Sequence, residues 1–166
     1  MTTRKFLVSG ISPQHQGGTG RLLRVLKEYA SSQSYVFISR RISKSLRLLI
    51  KNKQLFLFIF ELVLRVAGDT YFWFRVRRIK ESEIILIQPQ TIGFNLFFKL
   101  IKQNKVIKFY VVDNSFFCIR SYNYIKGEGK ECLKCLDGLH NCDPRCVSSF
   151  KISRTASLKA LTKLKA

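Results

Sequence analysis

The sequence predicts an α/β fold built on an open parallel sheet. Four short, mostly apolar segments are typical of buried strands, namely residues 6–11, 35–39, 83–88 and 106–112. Segments with the apolar spacing of helices lie between them, at residues 21–29, 43–67 and 94–102. Strands that alternate with helices favour right-handed crossovers and parallel pairing. We therefore expect a Rossmann-like sheet with flanking helices, followed by a cysteine-rich loop insert.

The composition indicates a folded protein that attracts negative charge. The chain of 166 residues has 30 Lys and Arg against 10 Asp and Glu, which gives a net charge of +20. Its 14 Phe and 6 Tyr supply enough apolar surface to exclude a disordered basic tail. A large multi-domain enzyme is excluded by length. The charge favours nucleic acid, an anionic membrane surface or phosphorylated ligands as partners.

One domain is expected at residues 1–150, with the cysteine-rich insert at 115–146. Residues 151–166 are predicted to form a basic helix that begins a truncated continuation. The longest nearly uncharged apolar run, residues 55–60, is much shorter than the roughly 20 residues of a membrane-spanning helix. The N-terminal segment has no secretory pattern, so we predict a cytoplasmic setting with reduced thiols.

A glycine loop links the first predicted strand to the first helix. Residues 12–20 include Gly17, Gly18 and Gly20. The first N–H groups of a helix lack internal partners and can bind an anion. The loop matches neither the dinucleotide nor the P-loop fingerprint, so neither of those sites is indicated. A simple strand-to-helix turn explains the glycines equally well.

The cysteines form two closely spaced pairs. Two residues separate the members of the first pair and three separate those of the second. Such pairs can supply four thiolates to tetrahedral Zn²⁺, while Cys118 and His140 are further candidate ligands. Free thiols on a mobile loop, or ligation by only some of the cysteines, are the alternatives. We predict a structural zinc site at Cys132, Cys135, Cys142 and Cys146.

Candidate catalytic residues follow the fourth predicted strand. In open α/β sheets, ligands bind beyond the carboxyl ends of the strands, where Asp113 and Asn114 are expected. A carboxylate and an amide there can orient sugar hydroxyls or accept a proton. The same residue types also commonly form an Asx turn at a strand end. His15, in the glycine loop, is expected at the same edge.

Basic and apolar residues are interleaved in the middle of the chain. Residues 40–53 carry six Arg and Lys side chains, and residues 72–78 combine aromatics with arginines. This pattern fits docking in the headgroup region of an anionic membrane. It also fits nucleic-acid phosphates with base stacking, or a solvated basic face over an ordinary core helix.

Three segments resemble the N-terminal domain of family 4-like glycosyltransferases, which have two facing Rossmann domains (the GT-B type). Residues 6–11 with 17–21 look like the strand and glycine loop of that family. Residues 84–93 are similar to its third strand and the following turn. Residues 111–123 look like a subgroup in which a strand end precedes a cysteine-rich insert.

The resemblance implies the acceptor-binding half of a glycosyltransferase of polysaccharide biosynthesis. Such enzymes transfer sugar from a nucleotide-sugar to a glycan or a lipid-linked acceptor, at the inner face of the membrane. The donor would be held by a separate C-terminal domain, so this chain is expected to be inactive alone. The resemblance assigns donor-phosphate or acceptor contacts to the loop residues Gly17, Gly18, Thr19, Gly20 and Arg21. It assigns acceptor-side contacts to Asp113 and Asn114.

Two other functions are compatible with parts of the sequence. A small, metal-stapled nucleic-acid-binding protein would explain the +20 charge and the cysteine pairs. The alternating α/β pattern and the lack of a recognisable nucleic-acid module oppose it, so nucleic acid is not the expected partner. A non-catalytic remnant of a transferase is the third possibility.

Overall fold

A computed structural model describes residues 4–41, 45–112, 118–120, 132, 134–146 and 153–165. Its strands are β1 (Lys5–Ser9), β2 (Tyr35–Ser39), β3 (Glu83–Ile87) and β4 (Val106–Tyr110). Its helices are α1 (Gly18–Ser32), α2 (Leu46–Lys51), α3 (Leu55–Arg77), α4 (Pro89–Ile92), α5 (Phe94–Gln103), α6 (Lys134–Asp137) and α7 (Arg154–Lys165). A 3₁₀ turn covers Leu139–Asn141.

The four strands form one parallel sheet in the order β2-β1-β3-β4. This confirms the predicted fold class. The chain steps from β1 outward to β2 and then crosses back past β1 to β3. Because the two crossovers run in opposite directions with the same hand, they place their helices on opposite faces of the sheet.

The core therefore has two layers, one on each face. Helix α1 covers one face through the cluster Leu7, Leu23, Ala30 and Ile87. Helices α3 and α5 cover the other face, where Phe72, Val76, Phe97 and Leu100 pack on Val8, Ile38, Ile84 and Leu86. The central strands β1 and β3 are buried on both faces and are apolar along most of their length, as buried parallel strands require, whereas the edge strand β4 is mostly exposed.

Several element boundaries differ from the sequence prediction. Strand β1 ends at Ser9, because the Ser9 hydroxyl accepts a hydrogen bond from the Ile11 N–H at 3.1 Å and turns the chain. Helix α1 begins at Gly18, three residues earlier than predicted, since the N–H of Arg21 already donates to the Gly17 carbonyl. Strand β4 ends at Tyr110.

The predicted helix at residues 43–67 is wrong in its boundaries. The structure has two helices there, α2 and α3, separated by a turn in which Lys53 has a positive φ of 55°. Helix α3 then continues through Gly68, where the sequence predicts an interruption, to Arg77. It continues because Phe72 and Val76 are buried against the sheet.

The C-terminal part of the described chain packs on α5. Helix α7 lies within the predicted basic helix, and its Leu161 is fully buried with Phe94 and Ile119 in a cluster that also contains cysteines. The Lys163 ammonium lies 4.7 Å from the centre of the Phe98 ring. The predicted domain boundary at residue 150 falls outside the described residues.

A polar network ties three strands together at the amino-terminal edge of the sheet. The Glu83 carboxylate on β3 accepts hydrogen bonds of 2.6 Å from the Tyr35 hydroxyl on β2 and from the Lys108 ammonium. The bond from Lys108, followed by that from Tyr35, lowers the pKa of Glu83. The bond to Glu83, with burial, raises the pKa of Tyr35 to about 12. The network therefore stabilises an ionised Glu83 and a neutral Tyr35.

This network predicts a pH-dependent stability. We expect Glu83→Gln to lower the melting temperature at pH 7 by about 2–4 °C. A carboxylate whose pKa is lowered on folding stabilises the fold above its unfolded pKa of about 4.3, and that stabilisation is lost as the pH falls through the folded pKa. The difference between wild type and variant should therefore shrink between pH 5 and pH 3 in thermal unfolding.

The matched control is Glu28→Gln, which removes the same charge from an exposed position on α1. It should change the melting temperature little at either pH. An equal pH dependence in the two variants would rule out a stabilising role for the network.

Candidate functional site

A cavity opens at the carboxyl-terminal edge of the sheet, where parallel α/β folds bind their ligands. Its volume is about 250 Å³. The loop after β1, the residues after β2 and one side of α3 form its walls. The lining residues are Gly10, Ile11, Ser12, His15, Arg40, Arg41, Glu61, Arg65 and Asp69.

Local hydrogen bonds fix the loop that carries His15. The Ser12 carbonyl accepts from the His15 N–H at 3.0 Å, and the Ser12 hydroxyl accepts from the Gln14 N–H at 3.2 Å. The Arg24 guanidinium on α1 donates to the Pro13 carbonyl at 2.8 Å. The loop is thus held against α1, with His15 at the cavity.

The structure explains two glycines of the loop without a bound ligand. Gly17 precedes α1 with a φ of 110°, a conformation that side chains rarely adopt. Gly20 lies against the His15 carbonyl, and a Cβ at Gly20 would overlap that carbonyl. Glycine is therefore required at these two positions by the backbone conformation before α1 and by the packing of the loop on α1.

A third glycine closes the crevice between β1 and β3. Gly10 packs so closely on the backbone of Thr91 that a Cβ at Gly10 would overlap it. The Thr91 hydroxyl donates to the Gln88 carbonyl at 2.8 Å, which holds the turn after β3 in place. As a result, the cavity lies on the side of β2 and α3.

The cavity walls carry charges of both signs. The Arg40 Nε lies 3.6 Å from the Asp69 carboxylate, and the Arg40 guanidinium lies 5.3 Å from the centre of the Phe72 ring. Within the described part of the chain, Arg41 and Arg65 have no ion-pair partner. Three arginines against the two carboxylates of Asp69 and buried Glu61 leave one net positive charge, apart from His15.

Of the predicted catalytic and phosphate-binding residues that the structure describes, one lies at this cavity. His15 lines it, as its place in the loop predicted. The predicted phosphate contacts Gly17, Gly18, Thr19, Gly20 and Arg21 form the start of α1 and do not line it. The two predicted residues after β4, Asp113 and Asn114, lie outside the described residues.

The sequence contained a signal for the missed residues. Glu61, Arg65 and Asp69 are the only charged side chains between residues 55 and 74. They are spaced four residues apart, which places them on one face of an otherwise apolar helix. Charges at that spacing in such a helix predict a polar site beside it.

The predicted metal ligands are close to one another in a separate cluster. Cys135, Cys142 and Cys146 are buried, Cys132 is partly buried, and none forms a disulfide. Burial raises the pKa of the Cys135 thiol to about 12 and that of Cys146 to about 11, with a smaller contribution from Cys142. Thiols protonated at neutral pH are poor nucleophiles. Across the described ranges, no three His, Cys, Asp or Glu side chains are arranged to hold a metal ion.

Comparisons with family models, with curated proteins and with solved structures found no match. The function is therefore argued from the fold, the cavity and the surfaces of this chain.

The packing of Gly20 on the His15 carbonyl gives a paired prediction. Gly20→Ala should destabilise the protein by about 1–3 kcal/mol, because the loop must move to make room for the methyl group. Gly18→Ala is the control, since a Cβ there meets open space. It should be neutral or stabilising by up to about 1 kcal/mol.

Urea unfolding of the two variants measures this difference. Equal free energies of unfolding would show that the loop adjusts freely, and that His15 is not held at the cavity by Gly20.

Proposed function

We propose that this chain is the acceptor-binding half of a glycosyltransferase, acting on a phosphate-linked sugar at an anionic membrane surface. The observation that carries the proposal is the cavity at the carboxyl edge of the sheet, lined by His15 and by Arg40, Arg41 and Arg65. An all-parallel sheet of this order is the type of fold that places its ligand at that edge.

The size of the cavity supports a small, charged part of a ligand. At about 250 Å³ it lies just below the usual range of roughly 300–1,000 Å³ for whole drug-sized ligands. A phosphate or a single sugar ring suits such a volume. The remainder of a larger acceptor would extend past the exposed side chains Arg41 and Arg65 at the walls.

Different side chains would bind the phosphate and the sugar of such an acceptor. Arg41 and Arg65 would bind phosphate oxygens, for which the guanidinium fork is well shaped. The Asp69 carboxylate would accept hydrogen bonds from sugar hydroxyls. His15 would hold or accept a proton at a hydroxyl that reacts with the nucleotide-sugar donor. The position of each follows from the fixed loop and from α3.

An exposed apolar surface on α3 supports the membrane part of the proposal. In the first turns of α3, Phe56 is 81% exposed and Leu55 is 66% exposed. The large apolar side chains that share this exposure define the α2–α3 surface: Leu48, Ile50, Leu55, Phe56, Leu57, Ile59, Phe60, Leu62, Val63 and Val66. So much contiguous apolar surface indicates an interaction site.

Arginines stack on aromatic rings at the C-terminal end of α3. The guanidinium of Arg77 lies 4.5 Å from the centre of the Trp73 ring, and that of Arg78 lies 3.7 Å from the centre of the Phe74 ring. Aromatic and arginine side chains together suit the boundary between headgroups and acyl chains. The basic charge complements anionic lipid.

No helix in the described residues combines the length and the apolarity needed to cross a bilayer. The proposed membrane contact is therefore one in which α2 and α3 lie in the interface.

A binding experiment tests the cavity. Titration calorimetry with a sugar 1-phosphate, with the free sugar and with inorganic phosphate should give the tightest binding for the sugar 1-phosphate. Arg65→Gln and Arg41→Gln should each weaken it by about tenfold, the effect of losing a charge-assisted hydrogen bond of about 1.5 kcal/mol.

The control is Lys27→Gln, which removes one exposed positive charge from α1 and should leave the affinity unchanged. If all three variants lost affinity equally, the effect would depend on net charge alone, which would contradict a binding site in the cavity. Failure of the sugar 1-phosphate to bind better than both fragments would contradict the acceptor assignment.

Vesicle flotation tests the membrane surface. We expect binding to vesicles with anionic lipid, weakening with salt, and little binding to purely zwitterionic vesicles. Phe56→Ser should weaken binding by about tenfold, since burial of a large apolar side chain contributes about 1.5 kcal/mol or more. Val63→Ser on α3 and Val25→Ser on α1 are a matched pair, 60% and 62% exposed. Only Val63→Ser should weaken binding.

Three outcomes would contradict the membrane assignment. Equal effects of the two valine variants would mean that the α2–α3 surface is not the contact. Dimers that dissociate in Phe56→Ser, without vesicle binding, would assign the surface to a second copy of the chain. Salt-sensitive binding to duplex or single-stranded nucleic acid, without vesicle binding, would favour the nucleic-acid alternative.

A further inference from the structure

The proposed transferase leaves the cysteine cluster without a role. The cluster packs beneath α7 and beside the first turn of α5, away from the cavity lining. Three buried thiols belong to it, Cys135, Cys142 and Cys146, and Cys132 packs at its edge. Cys135 and Cys142 belong to the same buried cluster. The chemistry of a free cysteine, metal binding included, explains its presence more often than its packing does.

We propose that this cluster is a structural Zn²⁺ site, with Cys132, Cys135, Cys142 and Cys146 as its four ligands. The site is independent of the proposed transferase. Four thiolates at the short spacings found here are the donor set of closed, tetrahedral zinc sites, with Zn–S distances of about 2.3 Å.

A buried carboxylate joins the two cysteine pairs. Asp143, only 4% exposed in its side chain, lies between Cys142 and Cys146 and accepts a 3.0 Å bond from Lys134, which lies between Cys132 and Cys135. Arg145 donates to the same carboxylate from its backbone N–H and its guanidinium, each at 2.9 Å. The Lys134 bond links the two pairs, and the Arg145 bonds hold the Asp143 carboxylate in place within the second pair.

The local backbone also presents the second pair as a turn. The N–H of Cys146 donates to the Asp143 carbonyl at 2.9 Å, which folds the chain between the two cysteines. The Arg154 guanidinium on α7 donates to the Cys142 carbonyl at 2.8 Å. The scaffold is therefore tied both within itself and to the rest of the protein.

What the metal must add is the final orientation of the sulfur atoms. No three of the thiols already have coordinating geometry within the described residues. Rotation about the Cα–Cβ bonds moves sulfur atoms between their staggered positions without moving the backbone. Zinc binding then requires the thiols to change rotamer on a backbone that these hydrogen bonds already restrain. Each thiol also loses a proton.

Zinc content tests the site directly in the full chain. Elemental analysis of freshly prepared, reduced protein should find about one zinc ion per chain. Cys135→Ser and Cys142→Ser should each lose it. Cys118→Ser tests the ligand set, because Cys118 is equally buried and lies near Cys135 and Cys146 but is not an assigned ligand. It should keep about one zinc ion.

Two measurements on folded protein guard against variants that fail to fold. Cobalt exchanged into the wild-type chain should give the intense visible bands of tetrahedral thiolate coordination. Asp143→Asn keeps all four ligands but weakens the hydrogen bonds from Lys134 and Arg145. It should weaken metal affinity by about 10–100-fold.

Several results would overturn the proposal. One is the absence of zinc together with five titratable thiols in the native protein. A disulfide among the four cysteines, or an iron chromophore with labile sulfide, would assign the thiols to other chemistry. Loss of zinc in Cys118→Ser, with retention in Cys132→Ser, would overturn the ligand set.

Discussion

Successive strands are added to the sheet first on one side of β1 and then on the other, and the rest of the structure depends on this reversal. A parallel strand must be covered on both faces, and each crossover has a fixed hand. Moving outward to β2 and back to β3 is what distributes α1 on one face and α3 with α5 on the other. The loop after β1, the end of β2 and one side of α3 meet at the carboxyl edge of this sheet, on the β2 side of the reversal, and line the cavity.

Helix α3 both packs on the sheet and carries the exposed apolar surface. Its second half packs on the sheet through Phe72 and Val76 and supplies Asp69 to the cavity wall. Its first turns extend beyond the sheet with Phe56 almost fully exposed. Glu61 and Arg65 line the cavity from the same turns that carry Leu62, Val63 and Val66 of the α2–α3 surface, so the rigid helix holds the cavity at a short, fixed distance from that surface. In the proposed function this distance would set how far an acceptor phosphate lies from the lipid headgroups.

The sequence predicted those elements that local chemistry determines. Strand β2 has the predicted bounds, because its short apolar run is enclosed by polar turn residues. The break after α2 contains no proline or glycine that would mark it in the sequence. The positive φ of Lys53 is held by local bonds, from the Lys53 N–H to the Ile50 carbonyl and from the Gln54 N–H to the Leu49 carbonyl, which cap the end of α2. Arg40 and Arg41 were interpreted as part of a basic stretch. Their place beside Asp69 and His15 appears only when β2 and α3 are assembled, which is why the cavity was not predicted.

The bonds of Glu83 at the amino edge of the sheet have a consequence for how the protein can evolve. They join β2, β3 and Lys108 on β4 at the end of the sheet opposite to the cavity. Cohesion of the sheet and the proposed recognition in the cavity therefore depend on different residues. If the proposal holds, substitutions at exposed Arg41 or Arg65 would alter recognition without removing any bond of this network, so lineages could exchange one ligand for another while keeping the same scaffold.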